Sequence, residues 1–121
     1  MNNQEDRNIA KAWVSLQYAE RNSPEFDSLF WAHMRLDEIL DNDAEHCWQI
    51  INEIREIDSS DFLLSNLAAG PLEDLLARSG GAFIERIEKL AQKDEKFRRL
   101  LAGLWKNNIP DEIWARVQGA I

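Results

Sequence analysis

The sequence predicts an all-α fold, arranged as a compact bundle or a short superhelix of seven to eight helices stacked as helical hairpins. Apolar residues recur every three or four positions in each long segment, which is the spacing of one helix face, and no segment shows the alternation of a strand. Capping and helix-breaking residues separate these segments with almost no spare length. The length of 121 residues provides for one helical domain, residues 1–121.

Three helices are predicted in the first half of the chain. Ser23 can cap the second helix, and Pro24 suits its first position because the N–H that proline lacks would have no partner there. Asn42 is followed by Glu45 three residues later, which resembles a capping box at the start of the third helix. The apolar stripes are Ile9, Ala12, Trp13 and Leu16, then Phe26, Leu29, Phe30, His33, Leu36 and Leu40, then Cys47, Ile50, Ile51, Ile54 and Ile57.

Shorter helices are predicted in the second half. Asp94 can cap a helix by accepting an N–H of its first turn. Gly70-Pro71 is expected to end one helix and start the next, and Gly80-Gly81 is expected to stop another. The remaining boundaries are a cap within residues 58–61, a break at Asn107-Asn108 and a helix start at Pro110-Asp111.

A weak internal repeat with a period near 35 residues accompanies these helices. Trp48 corresponds to Phe83, and Phe62 corresponds to Phe97, at this shift. Such a period is typical of stacked helical hairpins that bury their apolar faces against one another. Because the register drifts along the chain, the chance likeness of two amphipathic hairpins is an alternative interpretation.

The charge of the chain is acidic and unevenly distributed. The formal net charge is −8; residues 1–61 carry 14 acidic and 5 basic side chains, and residues 62–121 carry 8 and 9. The first half therefore repels a phosphate backbone, and nucleic acid is not an expected partner. An acidic surface suits a basic protein partner, or it keeps the protein soluble.

The sequence also indicates a soluble cytoplasmic protein. Cys47 is the only cysteine, so an intramolecular disulfide is excluded. The N-terminus lacks the basic and apolar regions of a signal peptide, and no apolar stretch approaches the roughly 20 residues that span a bilayer. We expect no membrane attachment and no cofactor.

Several segments resemble a family of small bacterial proteins that is known only as a domain of unknown function. The most distinctive is AAGPLEDLL at residues 68–76. The resemblance covers most of the chain and implies an all-helical fold, but it implies no activity, ligand or catalytic residue. The other matching positions are Phe30-Trp31-Ala32, Cys47-Trp48, Gly81-Ala82-Phe83-Ile84, Ile87-Glu88, Asp94, Phe97-Arg98-Arg99, Leu101, Gly103, Trp105 and the segment 110–116.

Glu73 and Asp74 stand in the first turn of the helix predicted after Pro71. There they would meet unpaired N–H groups and the positive end of the helix dipole, a stabilisation of about 0.3–1 kcal/mol per charge. The alternative is an acidic recognition pair that faces Arg98 and Arg99 or a cation of a partner. Adjacent helical residues point about 100° apart, so these carboxylates are poorly placed to act together on one substrate.

Three side chains could serve as metal ligands or as a nucleophile: His33, His46 and Cys47. No HExxH or CxxC pattern is present, so we expect no metal site. His33 is expected to be half-buried at a helix interface, in reach of Asp37 one turn later. Cys47 lies on an apolar stripe among acidic neighbours and is expected to be a packed core thiol.

A cluster of acidic residues is the sharpest functional signal. Acids at a helix C-terminus oppose the helix dipole, so local structure does not explain Asp37, Glu38 and Asp41. We interpret the cluster as a binding surface for a basic protein, with a solvated loop as the alternative. The cluster consists of Asp37, Glu38, Asp41, Asp43 and Glu45.

Trp31 and Trp48 fall beside the main stripes of their helices, so they are candidates for an interface, or for burial in a helix that packs on two sides. The second half has a basic patch that could dock on the acidic half of another copy or balance charge within the chain. This patch consists of Lys89, Lys93, Lys96, Arg98, Arg99 and Lys106.

These observations predict a non-catalytic protein–protein interaction module, with an acidic immunity or antitoxin-like protein that masks a basic effector as its concrete form. The first alternative is a small enzyme or ligand-binding domain with a pocket between helices, lined by Trp31, His33, Trp48 and Glu73. The second alternative is a structural homo-oligomer joined through the acidic and basic halves. The expected partner-binding residues are Trp31, Asp37, Glu38, Asp41, Asp43, Trp48, Glu73 and Asp74.

Overall fold

The structure, a computed structural model, describes residues 3–121, and these residues form helices and connecting turns without a strand. The predicted all-α class is therefore confirmed. The helices are α1 (Asn3–Tyr18), α2 (Pro24–Asn42), α3 (Ala44–Ile57), α4 (Asp61–Leu67), a π-helical segment (Ala68–Leu72), α5 (Glu73–Lys93), α6 (Glu95–Ala102) and α7 (Asp111–Ala120).

The predicted number of helices is slightly too high. Helix α4, the π-helical segment and α5 follow one another without a break, so the described residues form six continuous helical stretches. Gly70-Pro71 does not end a helix, although it was expected to, because a local change to a π-helix carries the chain through these residues. Gly80-Gly81 was expected to stop a helix, and the helical geometry is interrupted next to it, at Ser79.

The chain divides into two compact units, Met1–Ser59 and Ser60–Ile121, and each is described by itself. The expected single domain over residues 1–121 stays a prediction. The first unit contains α1, α2 and α3, each packed against the other two. In the second unit, α5 packs on the π-helical segment, α6 and α7, and α4 packs on α6.

Apolar stripes form the core of the first unit. Each of its helices turns one face inward, and burial of one such side chain contributes about 1.5–3 kcal/mol. Cys47 is fully buried in α3, as predicted for a core thiol. The buried side chains are Ile9, Ala10, Trp13, Val14 and Leu16 of α1, Ala32, Leu36, Ile39 and Leu40 of α2, and Cys47, Trp48, Ile50, Ile51 and Ile54 of α3.

Two of the predicted N-caps are confirmed, and one prediction is wrong. Ser23 accepts the N–H of Phe26 at 3.1 Å, and Asp94 accepts that of Phe97 at 3.1 Å. At α3 the cap is Asp43 rather than Asn42, because α2 continues through Asn42 and leaves one extended residue before α3. Within residues 58–61, the capping side chain is that of Ser60, which accepts the N–H of Leu63.

The π-helical segment explains how a proline can stand inside a continuous helix. Pro71 has no N–H, and in a regular α-helix its ring would clash with the carbonyl of the preceding turn. The backbone widens here, so that the N–H of Glu73 reaches the carbonyl of Ala68, five residues earlier. Gly103 lies against this segment, where an added Cβ would be 3.4 Å from the Cβ of Ala68.

Helix α5 passes through both glycines with a kink at Ser79, whose φ of −137° and ψ of 24° are not helical. Gly80 is buried against α7, and a Cβ added to it would lie 3.0 and 3.2 Å from the Cγ2 and Cγ1 atoms of Ile113. Gly81 is exposed, with no atom within 4 Å of an added Cβ. The packing of the second unit thus leaves too little room for a Cβ atom at residue 80, whereas residue 81 has room for one.

We therefore expect opposite results from alanine at the two adjacent glycines. Gly80→Ala should lower the free energy of unfolding by about 1–3 kcal/mol, because the β-branched Ile113 cannot move without repacking. Gly81→Ala should raise it by about 0.5–1 kcal/mol, because alanine loses less entropy in a helix. Urea denaturation of both variants measures the difference. Equal stabilities would contradict the close packing of α5 on α7.

Candidate functional site

The outward face of α2 carries three large apolar side chains in solvent. Phe30 is 40% exposed, Trp31 48% and Met34 62%. The buried residues of the same helix lie on its opposite side. We call Phe30, Trp31 and Met34 the α2 apolar patch. Such a cluster of exposed apolar side chains is a candidate site for the binding of another molecule.

Neighbouring aromatic rings support the patch along one side of α2. The ring centroids of Phe26 and Phe30 are 5.8 Å apart, and those of Phe30 and His33 are 5.2 Å apart. Both separations fall within the range of favourable aromatic contacts. Phe30 is therefore held between side chains one turn before it and one turn after it, which reduces the rotamer entropy that a binding partner would have to overcome.

Acidic side chains continue the same face toward the C-terminus of α2. Asp37, Glu38 and Asp41 are all exposed, and we call them the acidic rim. Asp37 lies 3.4 Å from the Nε2 atom of His33, the predicted contact, although His33 is exposed rather than half-buried. Arg35 lies 2.6 Å from Glu38 and also contacts an acid of α1, so this one guanidinium is shared. The face therefore keeps an excess of negative charge.

Asp43, a member of the acidic cluster predicted from the sequence, has a structural role. Its carboxylate accepts the N–H of His46 at 3.2 Å and caps α3, while its own N–H donates to the carbonyl of Ile39 at 2.7 Å. Asp43 is exposed and stays a candidate for partner binding, but its capping role already explains why a carboxylate stands there. Glu45 is exposed in the first turn of α3.

The expected surface role of Trp48 is wrong. Its side chain is only 8% exposed and belongs to the core of the first unit. The reason is that α3 packs against both α1 and α2, so its buried face is wide enough to include Cys47 and Trp48 together. Of the two tryptophans singled out in the sequence, only Trp31 is available to a partner.

A part-buried hydrogen bond joins α1 to α3. The Nε2 atom of His46 lies 2.7 Å from the Oδ1 atom of Asp6, and Asp6 is only 5% exposed. Sequence reasoning missed this contact, although Asp6 stands three and four residues before the buried Ile9 and Ala10 and so shares their face. In the described part of the chain, no three His, Cys, Asp or Glu side chains converge as a metal ion would require.

Glu73 and Asp74 do not stand at a free helix start. The backbone N–H of Glu73 is bonded to the preceding carbonyls because the helix is continuous there, so the dipole interpretation is wrong. The carboxylate of Glu73 accepts a hydrogen bond from Asn107, and Asp74 is exposed. Both residues lie in the second unit, and their role toward a partner stays a prediction.

Part of the predicted basic patch is engaged in contacts of the second unit. Arg98 donates to the carbonyl of Ala91, Arg99 lies 3.6 Å from Asp61, and Lys106 lies 2.8 Å from an acid at the start of α7. The other three members, which are all exposed lysines, are Lys89, Lys93 and Lys96.

Two surface depressions lie in the second unit. One of about 410 Å³ is lined by Glu88, Gln92, Arg116, Gly119 and Ala120, and the other, of about 280 Å³, lies beside Arg99 and Gly103. Hydrogen bonds from Arg116 lower the pKa of the Glu88 carboxyl from its ordinary value. The residues expected to line a ligand pocket contribute to neither depression.

The described residues form an all-α protein in which the face of α2 turned away from the core carries exposed apolar and acidic side chains. In residues 3–121, every helix is too short or too polar to cross a membrane. Residues 19–121, well over half of the chain, match a family of unknown function (DUF6869), and the chain belongs to this family. Comparison with curated proteins and with solved structures gave no match.

Proposed function

We propose that the protein is a non-catalytic interaction module that binds a basic protein through the outward face of α2. The observation that carries this proposal is the direct succession of the α2 apolar patch and the acidic rim on one helix face. In its concrete form, the protein is a cytosolic bacterial immunity or antitoxin-like protein that masks a basic effector.

The apolar patch would supply most of the affinity. Aromatic side chains at the centre of an interface often contribute most of the binding energy. Trp31 and Phe30 are exposed aromatic side chains that a partner would bury. Both lie on a regular helix, and two ring contacts hold Phe30 in place. These side chains would therefore lose little conformational entropy on binding.

The acidic rim would select the partner and speed its approach. Exposed charges contribute little net affinity, but they steer an oppositely charged partner and make the association rate depend on salt. Asp37, Glu38 and Asp41 lie one to two turns beyond Met34, so a partner with an apolar anchor followed by Lys or Arg would match the face.

The enzyme alternative has less support. Of the residues expected to line its pocket, Trp48 is buried in the core, whereas Trp31 and His33 stand in solvent on α2. A ligand pocket needs polar groups that converge inside a concave site. The self-association alternative is supported by a separate observation and is argued below.

The test begins with affinity capture from a host lysate and continues with the purified captured protein. We expect Asp37→Asn, Glu38→Gln and Asp41→Asn, combined in one variant, to weaken binding about tenfold at low salt and to flatten its salt dependence. Isothermal titration at several salt concentrations measures both effects.

The matched control carries Glu20→Gln, Glu95→Gln and Glu112→Gln. These three acids are also exposed, and their removal changes the net charge by the same amount. The control should bind like the wild type at every salt concentration. An equal loss in both variants would show that only the overall charge matters and would contradict a role for the acidic rim.

A further inference from the structure

The exposed face of α5 presents a basic stripe. Arg86, Lys89 and Lys93 are all exposed, and the small, exposed Ala82 precedes them one turn earlier on the same side. We call Ala82, Arg86, Lys89 and Lys93 the α5 basic face. The guanidinium of Arg86 lies 4.6 Å from the ring centroid of the buried Phe83, which anchors the start of the stripe.

Two acids of α5 near this stripe, Glu85 and Glu88, interact with an arginine of another helix. Arg116 of α7 donates to both carboxylate oxygens of Glu88, through its Nε atom at 2.9 Å and its Nη2 atom. Glu85 also interacts electrostatically with Arg116 and raises the pKa of its guanidinium. The single guanidinium of Arg116 therefore offsets part of the negative charge of these two carboxylates from the α7 side. Lys89 and Lys93 are exposed and supply positive charge along the stripe.

The spacing on α5 repeats the spacing on α2. The sets Phe30, Met34, Asp37, Asp41 and Ala82, Arg86, Lys89, Lys93 both advance by four, three and four residues. This is the spacing of a single helix stripe, and each set extends about 16 Å along its axis. In a parallel alignment, the large ring of Phe30 would lie over the small Ala82, and the carboxylates of Asp37 and Asp41 would meet the two lysines.

We propose that the α5 basic face of one copy binds the outward face of α2 of a second copy, in this register. The pairs are Phe30 with Ala82, Met34 with Arg86, Asp37 with Lys89 and Asp41 with Lys93. The contact joins two different surfaces, so each copy keeps one of each and further copies can add head to tail. This self-contact is an interaction beyond the proposed function. Because it uses the same α2 face, one copy cannot bind a second copy and the basic partner through this face at the same time.

Self-association of this kind is weak and sensitive to salt. A single helix–helix contact buries less surface than a stable complex needs, and the net charge of −8 opposes close approach of two copies. The attraction is local, between complementary stripes. At protein concentrations high enough for self-association, it would cover the α2 apolar patch, and a partner that binds more tightly would displace it.

Sedimentation velocity on the full chain tests the proposal at protein concentrations up to millimolar. The wild type is expected to sediment faster as its concentration rises in about 50 mM salt, and to stay monomeric in about 500 mM salt. An acid variant, Asp37→Lys with Asp41→Lys, and a base variant, Lys89→Glu with Lys93→Glu, should each be monomeric alone. A wild type that stays monomeric in low salt overturns the proposal.

The decisive test is sedimentation of an equimolar mixture of the two variants. The base variant keeps its α2 face and the acid variant keeps its α5 basic face, so the mixture should associate again. The control Lys11→Glu with Lys96→Glu makes the same charge change at two exposed lysines outside the stripe and should associate like the wild type. A mixture that stays monomeric, or a control that does, also overturns the proposal.

These experiments distinguish a failure of the proposed self-contact from a failure of the proposed function. The base variant changes only α5, so it should bind the basic partner with wild-type affinity while it loses self-association. Partner binding by a chain that never self-associates would refute the self-contact alone. Self-association without any partner that depends on α2 would refute the proposed function alone.

Discussion

Replacing His46 with alanine is expected to lower the free energy of unfolding by about 2–3 kcal/mol, because it leaves the carboxylate of Asp6 buried without its hydrogen-bond partner. Asp6 is only 5% exposed, and its Oδ1 atom lies 2.7 Å from the Nε2 atom of His46. A buried carboxylate that loses its hydrogen-bond partner cannot recover its hydration without opening the contact between α1 and α3. Denaturant unfolding followed by fluorescence measures the loss, since Trp13 and Trp48 are buried in the same unit.

Asp6→Asn is the matched control for this prediction. The amide keeps the size of the carboxylate and can still hydrogen-bond to the imidazole of His46, so the loss should be about 1 kcal/mol. The control also keeps the prediction testable if His46→Ala does not fold. A His46→Ala variant within about 0.5 kcal/mol of the wild type would show that the contact between Asp6 and His46 does not hold α1 on α3.

Local signals in the sequence predicted the helices and most of their caps. Ser23 and Asp94 cap the helices they were expected to cap, because a capping hydrogen bond reaches only three residues along the chain. The helix end expected at Gly70-Pro71 is absent, because a π-helical widening that is not visible in the local sequence accommodates Pro71. The interruption expected at Gly80-Gly81 is present as a kink at the adjacent Ser79.

The candidate site was predicted only in part. The sequence indicated the acidic rim and Trp31, but it placed Phe30 on the core stripe of α2. The structure buries Leu36 and Leu40 of the predicted stripe together with Ala32 and Ile39, so the buried face is rotated around α2 and Phe30 is turned outward. Which of two apolar faces of one helix is buried depends on the neighbouring helices, and periodicity alone does not decide it. Met34 was missed for the same reason.

Removing the apolar patch is expected to reduce partner binding at least about 100-fold, because two or three central interface residues commonly account for several kcal/mol. The change combines Phe30→Ser, Trp31→Ser and Met34→Ser. All three side chains are exposed, so the first unit should fold as before. Isothermal titration with the purified partner measures the loss, and the denaturation midpoint checks the fold.

The control for exposed apolar area carries Phe62→Ser and Trp105→Ser, which remove side chains that are 50% and 72% exposed in the second unit. The most direct test of an interaction surface on α2 is a side-by-side titration of the wild type, the patch variant and this control with the captured basic protein. The patch variant should lose at least about 100-fold in affinity while the control binds like the wild type. Wild-type affinity in a folded patch variant would contradict the account.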